Sequence, residues 1–307
     1  MVEKVEDAIR TSAVAPDGII PVSVVVPVRN EARNLPRCLE ALRGVNEVYV
    51  IDSQSTDATV EIARSFGAKV VQFHYQGGWP KKRQWALDTL PFACDWILLL
   101  DADEILTPEL AEEIRQRIQD PTVDGYYVSL RMYFLERVLR FSGASFQKLV
   151  LFRRGKGRYE CRLKQQDVSM ADMEVHEHVV VVGRTACFRN PLIHHNVESL
   201  SHYIQKHDEY SNWEARVWVE GETAELPPSF FGTQAQRRRW LKKKFMGIPG
   251  SPALFFLYKY LVRLGFLDGV PGLIYCGFQA MQMFHVKAKI FELRQTKREE
   301  RKSTPNH

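Results

Sequence analysis

The sequence predicts an α/β protein built on a mixed, largely parallel sheet, with an amphipathic helical tail at its C-terminal end. Three observations predict this fold. Apolar runs of strand length alternate with helically spaced apolar residues over the first hundred residues, which is typical of βαβ units with right-handed crossovers. After about Asp120, runs of strand length continue without full helices between them. From Pro227 onward, basic and aromatic residues dominate.

Each element of the first half follows from its local pattern. The β-branched run Val22–Pro27, closed by a proline, predicts a buried strand, and leucines at helical spacing predict a helix over Glu31–Leu42. Further strands are predicted over Glu47–Asp52, Ala68–Phe73 and Trp96–Leu100, and further helices over Ser55–Phe66, with Thr56 as N-cap, and Trp79–Leu90.

The second half predicts a mixed or antiparallel extension of the sheet that completes the site. Its predicted strands are Gly125–Leu130, Lys148–Phe152, Glu177–Val182 and Pro191–His194, followed by a helix over Glu198–Trp218. We therefore divide the chain into a lead-in (residues 1–20), a catalytic domain (21–220) and a basic amphipathic helical region that associates with a membrane (221–307).

The composition is that of an ordinary globular protein. The 307 residues are 45% hydrophobic and 26% charged, with a net charge of +5. Five scattered cysteines without a Cys-x-x-Cys pair argue against a disulfide framework or a zinc knuckle, and fit a reducing cytosol. We expect no signal peptide and no clean transmembrane span, since the best charge-free window, Gly269–Val286, is too polar.

The most informative stretch is Leu100-Asp101-Ala102-Asp103-Glu104, where a buried strand ends in acidic residues. Side chains alternate along an extended segment, so Asp101 and Asp103 are expected to face one site. Paired carboxylates suit a hard cation such as Mg²⁺ or Mn²⁺. Acids after a strand can instead cap a helix, but Thr107-Pro108-Glu109 provides a separate helix start. We therefore predict a divalent metal site here.

Several motifs occur together between about residues 20 and 215. They are Val24–Glu31, Asp52–Asp57, Leu100–Glu104, Val175–Glu177, His194 and the segment from Tyr203 to Ser211. As a set they resemble the family 2 glycosyltransferases of the GT-A fold, a Rossmann-like fold of nucleotide-diphospho-sugar transferases. The branch they resemble most contains the bacterial lipopolysaccharide-core β-glucosyltransferases. This resemblance implies transfer of a sugar from a nucleotide-activated donor, with inversion at the anomeric carbon.

The resemblance also implies a donor site. Asp52 matches a position that contacts the nucleoside, and Pro27, Arg29 and Glu31 match residues that line the nucleotide pocket. From the local sequence alone, Asp52 could instead cap a turn or helix, and Glu31 could instead complement the dipole of a following helix. Arg83 matches a basic residue near the donor, where it would pair with the diphosphate. Its neighbours Lys81 and Lys82 are expected to be a solvated basic turn.

The resemblance makes Asp103 the best single metal ligand, with Asp101 contacting the ribose or the metal through water. A bound ion would bridge the two phosphates and stabilise the leaving group. His194 matches a histidine that follows the last core strand in related chains and is a further candidate ligand. A lone histidine there is more often structural, and the adjacent His195 leaves the assignment open.

Glu177 is the predicted catalytic base, because an inverting displacement needs a carboxylate within reach of the acceptor hydroxyl. Many family 2 enzymes have Glu-Asp at this point, whereas this chain has His176-Glu177. That departure keeps Asp172 and Glu174 open as alternatives. His176 would either orient Glu177 or pack.

The tail combines a basic run, residues 236–245, with two apolar, aromatic-rich stretches. This pattern favours an anionic membrane surface over nucleic acid. We expect peripheral attachment to the cytoplasmic face of the cell membrane, although both stretches could instead pack on the catalytic domain or a second subunit. Attachment would bring the enzyme to a lipid-linked or lipopolysaccharide-type acceptor of envelope polysaccharide synthesis.

Taken together, these features predict a metal-dependent inverting glycosyltransferase that uses a nucleotide-sugar donor, with a uridine diphosphate sugar favoured. A sugar nucleotidyltransferase shares the strand-end carboxylates, but it would normally carry a glycine-rich basic loop after the first strand, and Val28–Glu31 is not one. A catalytically inactive membrane-associated scaffold is the non-enzyme alternative, and the presence of Asp101, Asp103 and Glu177 argues against it.

Overall fold

The fold is seen in a computed structural model that describes residues 18–303, except 145, 164–165, 167–169, 171, 175–176, 197–198, 221–226 and 233. Most of the predicted lead-in, residues 1–17, therefore lies outside the described residues, and so does His176. The strands are β1 (Ile20–Val28), β2 (Val45–Asp52), β3 (Lys69–Gln72), β4 (Trp96–Leu99), β5 (Glu104–Ile105), β6 (Gly125–Phe134), β7 (Arg137–Val138), β8 (Gln147–Arg153), β9 (Gly157–Tyr159), β10 (Val179–Val181), β11 (Thr185–Cys187) and β12 (Leu192–His195).

The helices are α1 (Leu35–Glu40), α2 (Thr59–Ser65), α3 (Lys82–Thr89), α4 (Pro108–Arg117), α5 (Leu200–Glu220), α6 (Gln234–Met246), α7 (Ser251–Leu257) and α8 (Gly269–Ser303). A π-helix, Tyr258–Val262, and a 3₁₀ helix, Gly265–Asp268, join α7 to α8. The chain thus has the predicted α/β fold with a long helical tail, and the mixed sheet confirms the expected change of pattern after Asp120.

The central sheet has the strand order β3-β2-β1-β4-β8-β6-β12-β5. Strands β1 to β4 are parallel to one another, while β8 runs antiparallel to both β4 and β6. Strand β12 is parallel to β6 and antiparallel to the short β5. This arrangement brings the residues after β1, β2 and β4 to the same edge of the sheet as the end of β12, which defines where ligands bind in such folds.

Strand β1 is covered by a hydrophobic core on both faces of the sheet. Val24 and Val26 pack in the core on one face of the sheet, and Val25 packs in the core on the other face. Because both faces are covered, the strand is a continuous apolar run instead of an alternating one. The same burial explains the apolar run Trp96–Leu100, whose members are all at most 4% exposed.

Three predicted helix starts differ from the structure. Helix α3, predicted from Trp79, begins at Lys82. Helix α1 begins at Leu35, because the Glu31 carbonyl closes a turn by accepting from Asn34 and Leu35, and Pro36 lies at the first helical positions. Helix α2 begins at Thr59, so Thr56 is not its N-cap; the backbone N–H of Thr56 instead donates to Asn30 Oδ1 at 2.8 Å. The predicted start of α4 is confirmed, since Thr107 Oγ1 accepts from Leu110 at 3.2 Å.

The tail packs on the catalytic part through α5. Ala215 of α5 forms a small core with Met246 of α6 and with Met283, Val286 and Ile290 of α8. One side of the tail is therefore covered by protein.

Candidate functional site

Asp52 ends β2 and is fully buried. Its carboxylate accepts hydrogen bonds from the Ser55 hydroxyl at 2.5 Å, the Ser55 N–H at 3.1 Å and the Gln72 side chain at 2.9 Å. These bonds hold the turn after β2, so the turn-capping role expected as an alternative is present. They leave the nucleoside contact of Asp52 as a prediction.

Glu31 follows β1 and lies almost buried beside α5. Its carboxylate accepts from Lys206 Nζ at 2.7 Å and from Asn34 Nδ2 at 2.8 Å. Burial lowers the pKa of Lys206, but the Glu31 carboxylate more than offsets this and holds that pKa above its ordinary value. Since α1 begins only at Leu35, Glu31 is not in the first helical turn, and the helix-dipole alternative is wrong. Pro27 is buried in β1, and Arg29 is exposed at its end.

Asp101 and Asp103 lie in a turn, not on an extended strand, because the Glu104 N–H donates to the Asp101 carbonyl at 2.9 Å. The alternation argument is therefore wrong, and the two carboxylates have different partners. Asp101 is ion-paired with Arg83 and, at 2.9 Å, with Lys148. Burial raises the pKa of Asp101, but these two cations outweigh it and hold that pKa well below its usual range.

Lys148 also binds Glu104, whose Oε1 lies 2.9 Å from Nζ. Burial raises the pKa of Glu104. Lys148 was missed by sequence analysis, although a charged residue opening the apolar run 148–152 is a signal that could have found it. Lys206 lies in the family-like segment from Tyr203 to Ser211, and the sequence assigns it no role of its own. Both lysines have partners far away along the chain, which no local pattern shows.

Asp103 faces His194. The Asp103 Oδ1 and His194 Nδ1 atoms lie 3.3 Å apart, both are buried, and neither has a hydrogen-bond partner among the described residues. His195, by contrast, turns its Nδ1 toward Arg37 at 2.8 Å, and its ring packs on Tyr133. Strand β12 thus answers the open choice between the two histidines: His194 is the one beside Asp103.

Lys81 and Lys82 are not a solvated turn, so that expectation is wrong. Their relative exposures are 0% and 1%. Lys82 Nζ donates to the Val28 carbonyl at 2.9 Å and lies 3.1 Å from Asp172. Lys81 Nζ lies 3.4 Å from Glu177, and both side chains are fully buried. The acids of the segment 172–177 lie over the start of α3 and compensate these cations, which makes their burial possible.

Glu174 caps α3. Its Oε2 accepts from the Arg83 N–H at 3.0 Å and its Oε1 accepts from the Gln84 N–H at 2.9 Å. The Arg83 guanidinium in turn donates to the Glu174 carbonyl, which holds Arg83 toward Asp101. Glu174 therefore has a structural task, while Glu177 and the less buried Asp172, whose side chain is 13% exposed, stay candidates for the base.

Comparisons with known proteins identify the family of the chain. The model of "Glycosyl transferase family 2" matches residues 23–180, about half of the chain. The chain belongs to this family. The matched range contains most of β1, all of β2 to β4 and the residues that follow these strands, namely Glu31, Asp52, Asp101 and Asp103, together with Glu177.

Family 2 relatives differ in how much of the chain they match. A lipopolysaccharide core biosynthesis glycosyltransferase, LpsC of Rhizobium meliloti, is 27% identical over 280 residues, covering 89% of this chain and 93% of that protein. An uncharacterized glycosyltransferase of Rickettsia bellii is 39% identical over 108 residues, only 34% and 35% of the two chains. Among solved structures, Staphylococcus aureus TarS 1–349 with UDP-GlcNAc covers 90% of this chain and 92% of that chain, at 15% identity and a TM-score of 0.43.

Proposed function

We propose that this family 2 protein is a metal-dependent, inverting hexosyltransferase. It moves a sugar from a nucleotide diphosphate, with UDP favoured, to a lipid-linked or lipopolysaccharide-type acceptor at the cytoplasmic face of the membrane. The observation that carries the proposal is the Asp103–His194 pair, which stands beside the half-buried Asp101–Arg83–Lys148 cluster at the ligand-binding edge of the sheet.

The Asp103–His194 pair fits a divalent ion. A buried carboxylate oxygen and a buried imidazole nitrogen 3.3 Å apart, each without a hydrogen bond among the described residues, form a donor set that one cation can satisfy. In the described part of the chain, no group of three or more His, Cys, Asp or Glu residues could hold a metal. The remaining ligands would then be donor phosphates and water, as is usual for Mg²⁺. The bound ion would supply a Lewis acid that stabilises the departing diphosphate.

The surrounding residues would hold the donor. Arg83 and Lys148 keep Asp101 ionised, so its carboxylate can accept a hydrogen bond from a ribose hydroxyl. Glu31, fixed by Lys206, and Asp52, fixed by Ser55, are similarly held acceptors at the ends of β1 and β2.

Glu177 would take the proton of the acceptor hydroxyl. Its carboxylate lies against the Lys81 ammonium on a segment that crosses the start of α3. Asp172, beside Lys82, is the second candidate, since its side chain is the more exposed of the two. The acceptor class is supported by the 27% identity to LpsC over most of both chains.

Calorimetry with UDP and Mn²⁺ or Mg²⁺ tests the donor site. We expect uptake that requires the ion and is lost in Asp103→Asn, while the matched variant Asp95→Asn, whose side chain is 83% exposed, binds as the unaltered protein does. Ion-independent uptake, or none by folded protein, would overturn the proposal. A product in which a diphosphate bond joins nucleotide to sugar would identify a nucleotidyltransferase instead.

Transfer assays test the base. Glu177→Gln should bind donor but transfer sugar at least about a hundredfold more slowly, which is the size typical of general-base loss. If Asp172→Asn has that effect and Glu177→Gln does not, Asp172 is the base. The anomeric configuration of the product, read by NMR, tests inversion directly. A protein that binds donor and transfers to no acceptor from an envelope extract would be the inactive scaffold.

A further inference from the structure

Helix α8 is apolar on two sides, and among the residues that the structure describes it packs on protein with one of them. Its first eighteen residues, 269–286, contain no Asp, Glu, Lys or Arg. The covered side includes Cys276, Met283, Val286 and Ile290. The opposite side carries exposed apolar residues: Val270, Leu273, Met281, Phe284 and Phe291. They are separated by three, seven or eight positions, which are multiples or sums of three and four, and such spacings place residues on one face of a helix. A helix that is apolar all round is expected in a protein core or in lipid, and α8 is only half in a core.

The segment before α8 extends this apolar face. Leu254, Leu257, Leu261 and Val262 are 46–68% exposed, and so are Phe266 and Leu267 at the bend, at 44% and 52%. Together with the exposed side of α8, these residues form what we call the tail face. Large contiguous apolar surfaces on a folded chain mark interaction sites.

The shape of this region argues for lying on a bilayer, not crossing it. In the described part of the chain no single helix is long and apolar enough to span a membrane. The pair Ser251–Val262 and Gly265–Glu299 passes that test only when taken together, and it is bent by 71°.

The charge of the tail indicates the kind of partner. Residues 227–291 contain ten lysines and arginines and a single acid, Asp268, which is 6% exposed. Several of the cations are exposed on α6, among them Arg237, Arg238 and Lys243. A second copy of this chain would bring the same positive charge against itself, whereas anionic lipid headgroups would neutralise it.

Asp268 fixes the bend to the catalytic part. Its carboxylate accepts from the N–H groups of Arg140 and Phe141, at 3.0 and 3.1 Å, and from the Ser142 hydroxyl at 2.9 Å. A Cβ on Gly265 would lie 2.8 Å from Cys276 Sγ, and one on Gly272 would lie 2.2 Å from the Gly265 carbonyl oxygen, so the bend needs glycine at both positions.

The basic helix α6 has a second attachment. Arg239 reaches inward, and its guanidinium donates to both carboxylate oxygens of the fully buried Glu160. The Arg239 Nη1 atom lies 2.9 Å from Glu160 Oε2, and Nη2 pairs with Oε1. Glu160 also accepts from the His178 N–H at 2.9 Å, next to Glu177. The bend and α6 are therefore tied to the catalytic part by hydrogen bonds of buried carboxylates.

We propose that the tail face lies in the surface of an anionic bilayer, and that the Asp268 and Arg239 attachments hold the catalytic edge in one orientation over that surface. The apolar side chains would reach the headgroup–acyl boundary, and the cations of α6 would contact anionic headgroups. This goes beyond peripheral attachment to an anionic membrane as such, since it assigns the face that docks and the fixed geometry.

Co-sedimentation with vesicles tests the docking without any substrate, so its outcome is independent of the proposed transfer. The unaltered protein should pellet with phosphatidylcholine–phosphatidylglycerol vesicles, at least about tenfold more weakly with phosphatidylcholine alone, and more weakly as salt rises. The double variant Val262→Asp/Val270→Asp should lose at least about tenfold in vesicle affinity, because it puts two charges into the apolar boundary.

Val182→Asp is the matched control. Val182, Val262 and Val270 have the same side chain and relative exposures of 65%, 68% and 67%, but Val182 lies outside the tail face. It should bind vesicles as the unaltered protein does, and circular dichroism should show both variants folded. Equal binding by the double variant and the control would overturn the proposal. A change from dimer to monomer in the double variant, without loss of vesicle binding, would make the face a contact between copies and would also overturn it.

Discussion

The variant Glu174→Ala tests whether the Glu174 carboxylate stabilises the fold or takes part in the chemistry. Glu174 is 2% exposed and accepts both the Arg83 and Gln84 N–H groups in the first turn of α3. Alanine removes both acceptors. A buried donor left without an acceptor costs roughly 1–3 kcal/mol, so the two donors together cost about 2–6 kcal/mol. Burial raises the pKa of Glu174, which means that keeping this carboxylate charged in the folded protein costs free energy. Alanine removes that cost, and this offsets part of the free energy lost with the two hydrogen bonds. We expect a net destabilisation of about 2–4 kcal/mol.

Urea denaturation followed by tryptophan fluorescence measures this loss, with Trp85 on α3 as a local probe. Glu112→Ala is the control: that side chain is 50% exposed with its arginine partner at 3.7 Å, so the change should stay within about 0.5 kcal/mol. The sign of the pH dependence is also fixed. The folded-state pKa of Glu174 is raised, so this group stabilises the protein most below its unfolded-state pKa and loses that contribution as pH rises. The difference between the two proteins should therefore be larger at acidic than at neutral pH.

The refuting result for Glu174 is specific. If Glu174→Ala unfolds at the same urea concentration as the unaltered protein but has lost sugar transfer, the carboxylate acts in the chemistry and the capping role is secondary.

Three further variants probe the buried charges and the bend. Lys148→Met leaves Asp101 and Glu104 without their shared cation and should cost about 3–5 kcal/mol in urea denaturation, and a loss below about 1 kcal/mol would contradict the network. Lys206→Met should raise the KM for donor through its partner Glu31 and leave kcat nearly unchanged; a fall in kcat alone would contradict a positioning role. Asp268→Asn should speed hydrogen exchange at the amides of residues 140 and 141, and unchanged exchange would mean that these bonds do not hold the bend.

The elements of the sheet and the residues at its edge could be predicted because both are local. An apolar run closed by proline or aspartate predicts a strand and its end, and this placed Asp52 and Asp101 correctly at the edge formed by β1, β2 and β4. The prediction was wrong where the backbone turns, as at residues 101–103. There, the Glu104 side chain accepts from the Asp101 N–H at 2.9 Å and helps to fold the segment into a turn.

The burial of Lys81 and Lys82 shows what a local pattern misses. Two lysines and an arginine in a row are typical of a solvated surface, and nothing nearby in the sequence contradicts it. Their partners, Asp172 and Glu177, come some ninety residues later, on a segment that reaches α3 only in the folded chain. Lys148 and Lys206 are also far along the chain from their acidic partners, so the local sequence does not predict those ion pairs. The sequence therefore predicted the places of the acidic residues better than those of the lysines that compensate their charges.

That balance supports Asp103 as the place of the proposed metal. Two other carboxylates at this edge of the sheet are compensated by close partners: Asp101 has Arg83 and Lys148, and Asp52 has three hydrogen bonds. Within the described ranges, Asp103 has no ion pair with a lysine or arginine: its ion-pair contact is His194, its Oδ1 accepts no hydrogen bond, and the charges of Arg37 and Lys206 act on it only from farther away. A buried carboxylate oxygen that accepts no hydrogen bond is costly in the free protein and becomes favourable when a cation arrives. We therefore expect divalent ions to raise the unfolding temperature of this protein, and to do so much less in Asp103→Asn, because an ion bound only to the folded state stabilises it.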